Sequence, residues 1–174
     1  MKILVVGNGG REHTLAWKLA NDSAKPEIFC TPGNAGTAEL GTNLSFDATD
    51  LEGIKSWCVE NKPDLVVVGP EAPLCAGLTD LLEAEGIRVF GPCKAAAELE
   101  GSKQFAKEVM KAGGVPTSAY ETFTHSDEAC AYVRERGAPI VIKADGLAAG
   151  KGVTVAETVE QAEAAIRDAL EGNA

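Results

Sequence analysis

The stretch ILVVGNGGREH, residues 3–13, joins an apolar run to a glycine-rich turn and then to the beginning of a helical pattern. Residues 3–6 are aliphatic throughout, which is typical of a strand that is buried on both faces of a parallel sheet. Over residues 11–20, Leu15, Ala16 and Leu19 then recur at helical spacing. The pattern predicts a strand, a tight turn and a helix.

The same alternation continues as far as residue 90. Further strands are predicted at residues 28–30, 65–68 and 87–90. Helices are predicted from Asp50, a good N-cap, to the residues before Pro63, and again around Leu78 to Leu82. Strands that alternate with helices at this spacing favour an α/β fold, in which helices cover both faces of a parallel sheet.

The alternation of strands and helices changes after Pro92. A short helix is predicted at residues 95–100, and a second helix is capped by Ser102 and ends at Gly113. The remainder is predicted as a strand-like segment (119–123), a helix (126–136), two strands (140–144 and 153–156) separated by a glycine loop, and a last helix (159–171). We therefore divide the chain into a domain at 1–101, a connecting helix and linker at 102–116, and a small α+β unit at 117–174. A unit of that size buries little surface by itself.

Composition and charge exclude several classes of protein. The formal net charge is −10, whereas sequence-independent binding to nucleic acid requires a basic surface. Five cysteines without a CxxC pair indicate free thiols in a reducing compartment. The apolar run near the N-terminus is too short for a signal peptide or a membrane span, so we expect a cytoplasmic protein with no membrane partner.

The glycine turn is a candidate anion site. Backbone N–H groups at the start of a helix bind phosphate, and Asn8, Gly9, Gly10 and Arg11 are the candidate ligands. The alternative is a tight turn whose glycines serve packing only. A dinucleotide fingerprint is incomplete, because Glu12 replaces its third glycine and no acidic residue ends the second strand. A nicotinamide dehydrogenase remains an alternative on these grounds.

A second candidate follows the apolar strand at residues 65–68. The segment GPEAPL, residues 69–74, is predicted as a loop stiffened by two prolines at the carboxyl end of a strand, where open α/β sheets bind ligands. Glu71, held with Pro73 in this loop, would accept hydrogen bonds from an amine or from sugar hydroxyls. The alternative is a rigid turn with a solvated glutamate.

The segment VIKADGLAAGKGV, residues 141–153, is predicted to form a flap between two antiparallel strands. It is not a Walker A loop, which would need glycine at 145 and Ser or Thr at 152, where Asp145 and Gly152 stand. Lys143 lies within an apolar strand, where a lysine needs an anionic partner such as a phosphate. The alternative is a solvated hairpin. Lys103 and Lys107 add two further cations, unless they are ordinary solvated helix lysines.

Five segments together resemble a known family: residues 5–13, 32–37, 68–74, 99–103 and 140–153. They are similar to the phosphoribosylamine–glycine ligases, or glycinamide ribonucleotide synthetases, of purine biosynthesis. The resemblance implies a Rossmann-like N-terminal (pre-ATP-grasp) domain followed by the first, small α+β subdomain of an ATP-grasp module. The second subdomain and the C-terminal domain of the family would lie outside this sequence.

The resemblance also implies a reaction and a set of ligands. Glycine takes the γ-phosphate of ATP to give glycyl phosphate, and the amine of 5-phosphoribosylamine attacks it. The implied ATP contacts are Lys103, Lys143, Asp145, Gly146, Gly150, Lys151 and Gly152. The implied contacts near the ribose phosphate are Asn8, Gly9, Gly10, Arg11, Glu71 and Pro73. Ligands for Mg²⁺ are expected beyond residue 174.

Two other functions stay open at this stage. One is a different ATP-grasp carboxylate–amine ligase, and the other is a non-catalytic module that binds a sugar phosphate or a nucleotide. The family is much longer than this sequence, so we expect these residues alone to be inactive or nearly so. The missing C-terminal part of such an enzyme would then be a partner of this chain.

Overall fold

The computed structural model describes residues 1–147 and 152–172 of the chain. The chain forms two compact units, Met1–Gly101 and Ser102–Ala174. Among the described residues no helix has the length and apolar character needed to cross a bilayer.

Unit 1, Met1–Gly101, is built on a five-stranded sheet in which every pairing is parallel. The strands are β1 (Lys2–Gly7), β2 (Glu27–Pro32), β3 (Thr42–Asn43), β4 (Leu65–Val68) and β5 (Val89–Phe90). Their order is β3-β2-β1-β4-β5, so that Val5 of β1 pairs with Cys30 on one side and with Val67 on the other. The predicted parallel sheet is confirmed.

Six helices accompany this sheet: α1 (Gly10–Ala20), α2 (Ala35–Ala38), α3 (Leu51–Asn61), α4 (Glu71–Ala76), α5 (Leu78–Glu83) and α6 (Lys94–Gly101). Because side chains alternate along a strand, β1 contributes to two apolar clusters. Leu4 and Val6 pack with Ile54, Leu78 and Leu82, whereas Ile3 and Val5 pack with the α1 face. The sheet is thus covered on both faces, as the apolar runs predict.

Helix α3 shows how local sequence sets an element's limits. The side chain of Asp50 accepts a hydrogen bond from the backbone N–H of Gly53 at 3.0 Å, which caps the helix. The helix ends at Asn61, and Lys62, which follows it, has a φ of 50° in the left-handed region. Both limits agree with the helix predicted before Pro63.

The segment at residues 69–74 differs from its prediction. It is not a loop throughout, because helix α4 begins at Glu71 and includes Pro73. Proline is tolerated in the first turn of a helix, since the N–H groups there have no intrahelical acceptor. Glu71 is therefore positioned by a helix start rather than by a proline-stiffened loop.

Unit 2, Ser102–Ala174, contains α7 (Lys103–Ala112), α8 (Ser126–Arg136), β6 (Ile140–Lys143), β7 (Val153–Ala156) and α9 (Val159–Glu171). Strands β6 and β7 pair antiparallel, with Ile140 opposite Ala156 and Lys143 opposite Val153. One face of this ribbon packs on α8 and α9 through Ile140, Ile142 and Ala156. An α+β arrangement is confirmed for this unit.

The strand-like segment predicted at residues 119–123 is wrong. These residues form no helix or strand. Phe123 packs instead on Tyr132 of α8, with ring centroids 5.2 Å apart. Upstream, the Lys107 ammonium donates hydrogen bonds to Thr117 and Ser118 and lies 5.4 Å from the centre of the Tyr120 ring. These side-chain contacts hold residues 117–123 in place, without pairing to another strand.

Candidate functional site

The turn between β1 and α1 encloses a buried carboxylate. Glu12 lies in the first turn of α1 and is 4% exposed. Its Oε2 accepts a hydrogen bond from the backbone N–H of Gly9 at 2.8 Å, and its Oε1 accepts one from Arg11 Nε at 2.6 Å. Glu12 thus satisfies one of the free N–H groups at the helix start with a charge-assisted bond.

Two glycines make room for this carboxylate. A Cβ atom at Gly7 or at Gly69 would overlap the Glu12 side chain. Gly7 also has a φ of 126°, a conformation that other residues rarely adopt. The glycines at the ends of β1 and β4 therefore serve close packing around Glu12.

Arg11 lies between two carboxylates. Besides its bond to Glu12, its Nη2 lies 3.8 Å from Oε2 of Glu71. The hydrogen bond to Glu12 is the main cause that raises the pKa of Arg11. The Arg11 side chain is 58% exposed and the Glu71 side chain 45% exposed, so both charged groups reach solvent. The arrangement presents a fixed cation beside an accessible carboxylate.

These groups line a cavity of about 300 Å³. Arg11, Glu71 and Glu100 form its polar wall, and Leu74 and Ala97 part of its apolar wall. The cavity lies beyond the carboxyl ends of β1 and β4, where the strand order reverses and open α/β sheets bind ligands. Pro73 is buried, in the same turn of α4 as Glu71.

The loop after β2 supports this edge. Asn34 caps α2 by accepting from the N–H of Thr37, and it donates through Nδ2 to the Asn8 carbonyl at 2.8 Å. The buried Thr37 hydroxyl lies within hydrogen-bond distance of two acceptors, the Asn34 carbonyl at 2.9 Å and Asn43 Oδ1 at 2.8 Å. These bonds fix the backbone of Asn8. Its side chain is exposed.

In unit 2, Asp145 is engaged at the start of α7. Its carboxylate accepts from the Ser102 hydroxyl at 2.9 Å and from the Lys103 N–H at 2.5 Å. Burial acts to raise the pKa of Asp145, but hydrogen bonds from Ser102, Lys103, Gln104 and Gly146 outweigh it, so that the pKa is lowered. The Lys103 ammonium donates to the Gly146 carbonyl at 2.7 Å. Asp145, predicted as an ATP contact, thus joins α7 to the start of the glycine segment.

Lys143 lies on the exposed face of the β6–β7 ribbon. Val141, Val153 and Val155 share that face and are 48%, 47% and 64% exposed. The sequence predicts that Lys143 needs an anionic partner because it lies within an apolar strand. Its side chain is exposed, so water can solvate the ammonium, and contact with a phosphate stays a prediction. The lysine stands on an open, largely apolar surface.

Part of the glycine segment borders this face. Gly146 and Gly152 have φ values of 93° and 80°, and the Ala144 N–H donates to the Gly152 carbonyl at 2.8 Å. Such φ values favour glycine. Gly150 and Lys151, predicted to contact ATP, lie outside the described residues.

The structure brings Gly9, Arg11 and Glu71 together in unit 1, and Lys103, Asp145 and Gly146 together in unit 2. The role of Glu12 was not predicted from the sequence. Its signal was present, because an acidic residue stood at the position where a dinucleotide fingerprint requires glycine. Among the described residues, no group of three or more His, Cys, Asp or Glu side chains is placed to hold a metal.

Each of the two units matches a domain model of a known protein family. Residues 1–100 match the model "Phosphoribosylglycinamide synthetase, N domain", and residues 101–174 match "Phosphoribosylglycinamide synthetase, ATP-grasp (A) domain". The chain belongs to the phosphoribosylglycinamide synthetase family. The resemblance found in the five sequence segments is confirmed.

Curated members of the phosphoribosylglycinamide synthetase family align with the whole chain. It is 53% identical to phosphoribosylamine–glycine ligase of Pasteurella multocida and 55% identical to that of Xylella fastidiosa. The crystal structure of phosphoribosylamine–glycine ligase from Thermotoga maritima is 32% identical, covers 99% of this chain and superposes with a TM-score of 0.76. The chain spans 41% of the length of each of these three proteins.

Proposed function

We propose that the chain provides the substrate-binding and first nucleotide-binding parts of a phosphoribosylamine–glycine ligase. In this assignment residues 1–101 form the Rossmann-like substrate domain, 102–116 the connecting helix and linker, and 117–174 the first ATP-grasp subdomain. The observation that carries the proposal is that both family matches fall on one chain in family order, across residues 1–174.

The proposed reaction joins glycine to 5-phosphoribosylamine. The glycine carboxylate attacks the γ-phosphorus of ATP, and ADP leaves with the electrons of the broken bond. The amine nitrogen then attacks the carbonyl carbon of glycyl phosphate, loses a proton and expels inorganic phosphate. An acyl phosphate is needed because a carboxylate is a poor acyl donor, and catalysis of this kind depends mainly on positioning and charge neutralisation.

Unit 1 is proposed to bind 5-phosphoribosylamine. The 300 Å³ cavity is large enough for part of a sugar, and it offers both a guanidinium donor and a carboxylate acceptor. Asn8, Gly9, Gly10 and Arg11 line the turn on one side, and α4 supplies Glu71 and Pro73 on the other. The Asn34 bond to Asn8 and the Glu12 bond to Gly9 hold the turn in one conformation.

Unit 2 is proposed to bind ATP, which supplies the phosphoryl group when bound. Lys143 is free to meet an α- or β-phosphate because its ammonium lies on the exposed ribbon face. The valines beside it offer apolar surface for a nucleoside. Gly146 and Gly152 fix the ends of the segment that includes Gly150 and Lys151, and Lys103 holds the first of these glycines.

A magnesium ion would neutralise the phosphates of ATP, as in other phosphoryl transfers. The described residues do not fit it, since they contain no cluster of three metal-ligating side chains. Its ligands are proposed to lie in the part of the family's length that this chain does not span. For the same reason we propose that residues 1–174 alone turn over little substrate, and that the complete enzyme works in the cytoplasm.

The test is ADP release from MgATP in the presence of glycine and of phosphoribosylamine generated from ribose 5-phosphate and ammonia. Both residues 1–174 and a chain extended to the length of the relatives are assayed, with each substrate omitted in turn. We expect ADP only from the extended chain and only when both substrates are present. ADP release that requires a different carboxylate or amine would indicate another ATP-grasp ligase. Ligand binding without turnover in the extended chain would indicate a non-catalytic module.

A further inference from the structure

We propose that Glu12 is a specificity-determining residue, whose buried carboxylate keeps phosphate groups out of the β1–α1 turn. This inference rests on the proposed function and deepens it, because it assigns which end of the sugar phosphate meets the turn. The hydroxyl and amine groups of the substrate face Arg11 and Glu71, and its phosphate is held elsewhere.

The N–H of Gly9 in the β1–α1 turn is already occupied by Glu12. A phosphate at a glycine turn is bound by the N–H groups at the start of the following helix. Here the Gly9 N–H already donates to Glu12 at 2.8 Å. The carboxylate fills the space that Gly7 and Gly69 leave open, and only 4% of the residue is exposed. An oxyanion of the chain itself stands where a phosphate oxygen would bind.

The charges around the cavity are mainly negative. Arg11 is the cation that lines the cavity, and its Nε is already bonded to Glu12. Glu71 lies 3.8 Å from the other side of its guanidinium, and Glu100 also lines the cavity. One cation therefore stands against three carboxylates. Like charges repel each other at short range, so these carboxylates disfavour a phosphate dianion there.

The carboxylates of the cavity wall accept hydrogen bonds from donors that a sugar carries. Ionised carboxylates are acceptors only, and they bind O–H and N–H donors. A ribosyl ring with its hydroxyl groups and amine supplies such donors, whereas a phosphate supplies further acceptors. The wall formed by Glu71 and Glu100 therefore suits the ribosyl and amine end of the molecule, and it does not suit the phosphate end.

The test uses the ¹⁵N-labelled 174-residue chain and one probe, inorganic phosphate. The amide signals of Gly9 and Gly10 report on the turn. In the unsubstituted chain we expect no saturable shift of these signals with inorganic phosphate. In Glu12→Gln, which keeps the shape and an acceptor oxygen for Gly9, we expect phosphate to bind at these amides at least about tenfold more tightly.

Glu27→Gln is the matched control, because it removes the same charge from an exposed position at the opposite end of the sheet. It should leave phosphate binding unchanged. Saturable phosphate shifts at Gly9 in the unsubstituted chain would overturn the proposal, and this measurement needs no variant to fold. Equal phosphate affinities of folded Glu12→Gln and the unsubstituted chain would also overturn it.

The outcome is separable from that of the ligase assay. Absence of ADP release by the extended chain, together with a gain of phosphate binding in Glu12→Gln, would remove the proposed reaction and leave the role of Glu12 intact. ADP release together with phosphate binding at Gly9 in the unsubstituted chain would leave the ligase and remove the role of Glu12.

Discussion

The carboxylate of Asp145 accepts a hydrogen bond of 2.5 Å from the backbone N–H of Lys103, 42 positions earlier in the chain. A side chain just after strand β6 therefore caps the start of helix α7. Anions at this position stabilise a helix because they satisfy free N–H groups and complement the helix dipole.

We expect Asp145→Asn to lower the free energy of unfolding of unit 2 by about 1 kcal/mol, because it removes the negative charge that complements the helix dipole and strengthens the bonds from Ser102 and Lys103. Urea denaturation followed by circular dichroism measures it. Glu135→Gln, which removes a charge from an exposed position on α8, is the control and should change stability by less than about 0.5 kcal/mol. Equal losses in the two variants would show that Asp145 does not cap α7.

The stabilisation by Asp145 depends on pH. Because folding lowers the pKa of Asp145, its contribution is fully present above the ordinary aspartate value of about 3.9 and is lost as the pH falls through the lower folded value. The difference in stability between the unsubstituted chain and Asp145→Asn should therefore persist at neutral pH and shrink in strong acid. Denaturation across this range checks the sign, and a difference that grows in acid would contradict it.

Lys143 tests the nucleotide half of the proposed function. Its exposed side chain predicts that Lys143→Ala changes the free energy of unfolding by less than about 0.5 kcal/mol. In the extended enzyme we expect the KM for ATP to rise at least about tenfold, since an ammonium–phosphate contact is lost. Lys111→Ala, on exposed α7 surface, is the control. An unchanged KM for ATP in Lys143→Ala would contradict the assignment.

Gly69 and Gly10 form a matched pair for the packing of Glu12. Gly69→Ala should destabilise unit 1 by about 2 kcal/mol, because its Cβ would overlap the buried carboxylate. Gly10→Ala should be neutral or stabilise by about 0.5 kcal/mol, because Gly10 starts α1 and a Cβ atom added there would face open space. Thermal unfolding of both variants measures the two changes in stability. Equal changes would contradict the close packing of Gly69 against Glu12.

Replacing Thr79 with an apolar residue is predicted to stabilise the fold. Its hydroxyl is buried and has no hydrogen-bond partner among the described residues. Thr79→Val should therefore raise the free energy of unfolding by about 1 kcal/mol. Thr37→Val removes an equally buried hydroxyl that has several partners, and it should lower stability by about 1–3 kcal/mol. Loss of stability in Thr79→Val would show that its hydroxyl does have a polar partner.

The cysteines should differ sharply in reactivity. Burial raises the pKa of Cys58 to about 12, so the folded chain holds very little Cys58 thiolate at neutral pH. Cys93 is exposed. Alkylation at neutral pH followed by peptide mass spectrometry should label Cys93 first and Cys58 only after unfolding. Early labelling of Cys58 in the folded chain would contradict its burial.

Strong periodic patterns in the sequence located most of the elements correctly. Strand β4 at Leu65–Val68 and helix α8 at Ser126–Arg136 have the predicted limits. Strand β4 is apolar throughout and α8 has one apolar face. In each segment the local conformational preference and the burial of apolar side chains therefore favour the same structure. The segment at 119–123 has strand-like composition, but the contact between Phe123 and Tyr132 holds it as coil.

The candidate site was less accessible to sequence reasoning. The prolines around Glu71 indicate a loop when taken alone, yet proline also fits a helix start, and the two cases differ only in tertiary packing. Burial of Glu12 depends on Gly69, which lies 57 positions away in the chain and adjacent only in the sheet. No local window contains that information.

The central place of β1 in the sheet has a consequence for synthesis on the ribosome. Strand β1 is synthesised before its neighbour β4, which begins only at Leu65. Translation proceeds at roughly 5–20 residues per second, so residues 3–6 remain without their β4 neighbour for on the order of several seconds. Nascent unit 1 thus carries an apolar edge during translation, so slower elongation ahead of Leu65 should increase its dependence on ribosome-associated chaperones.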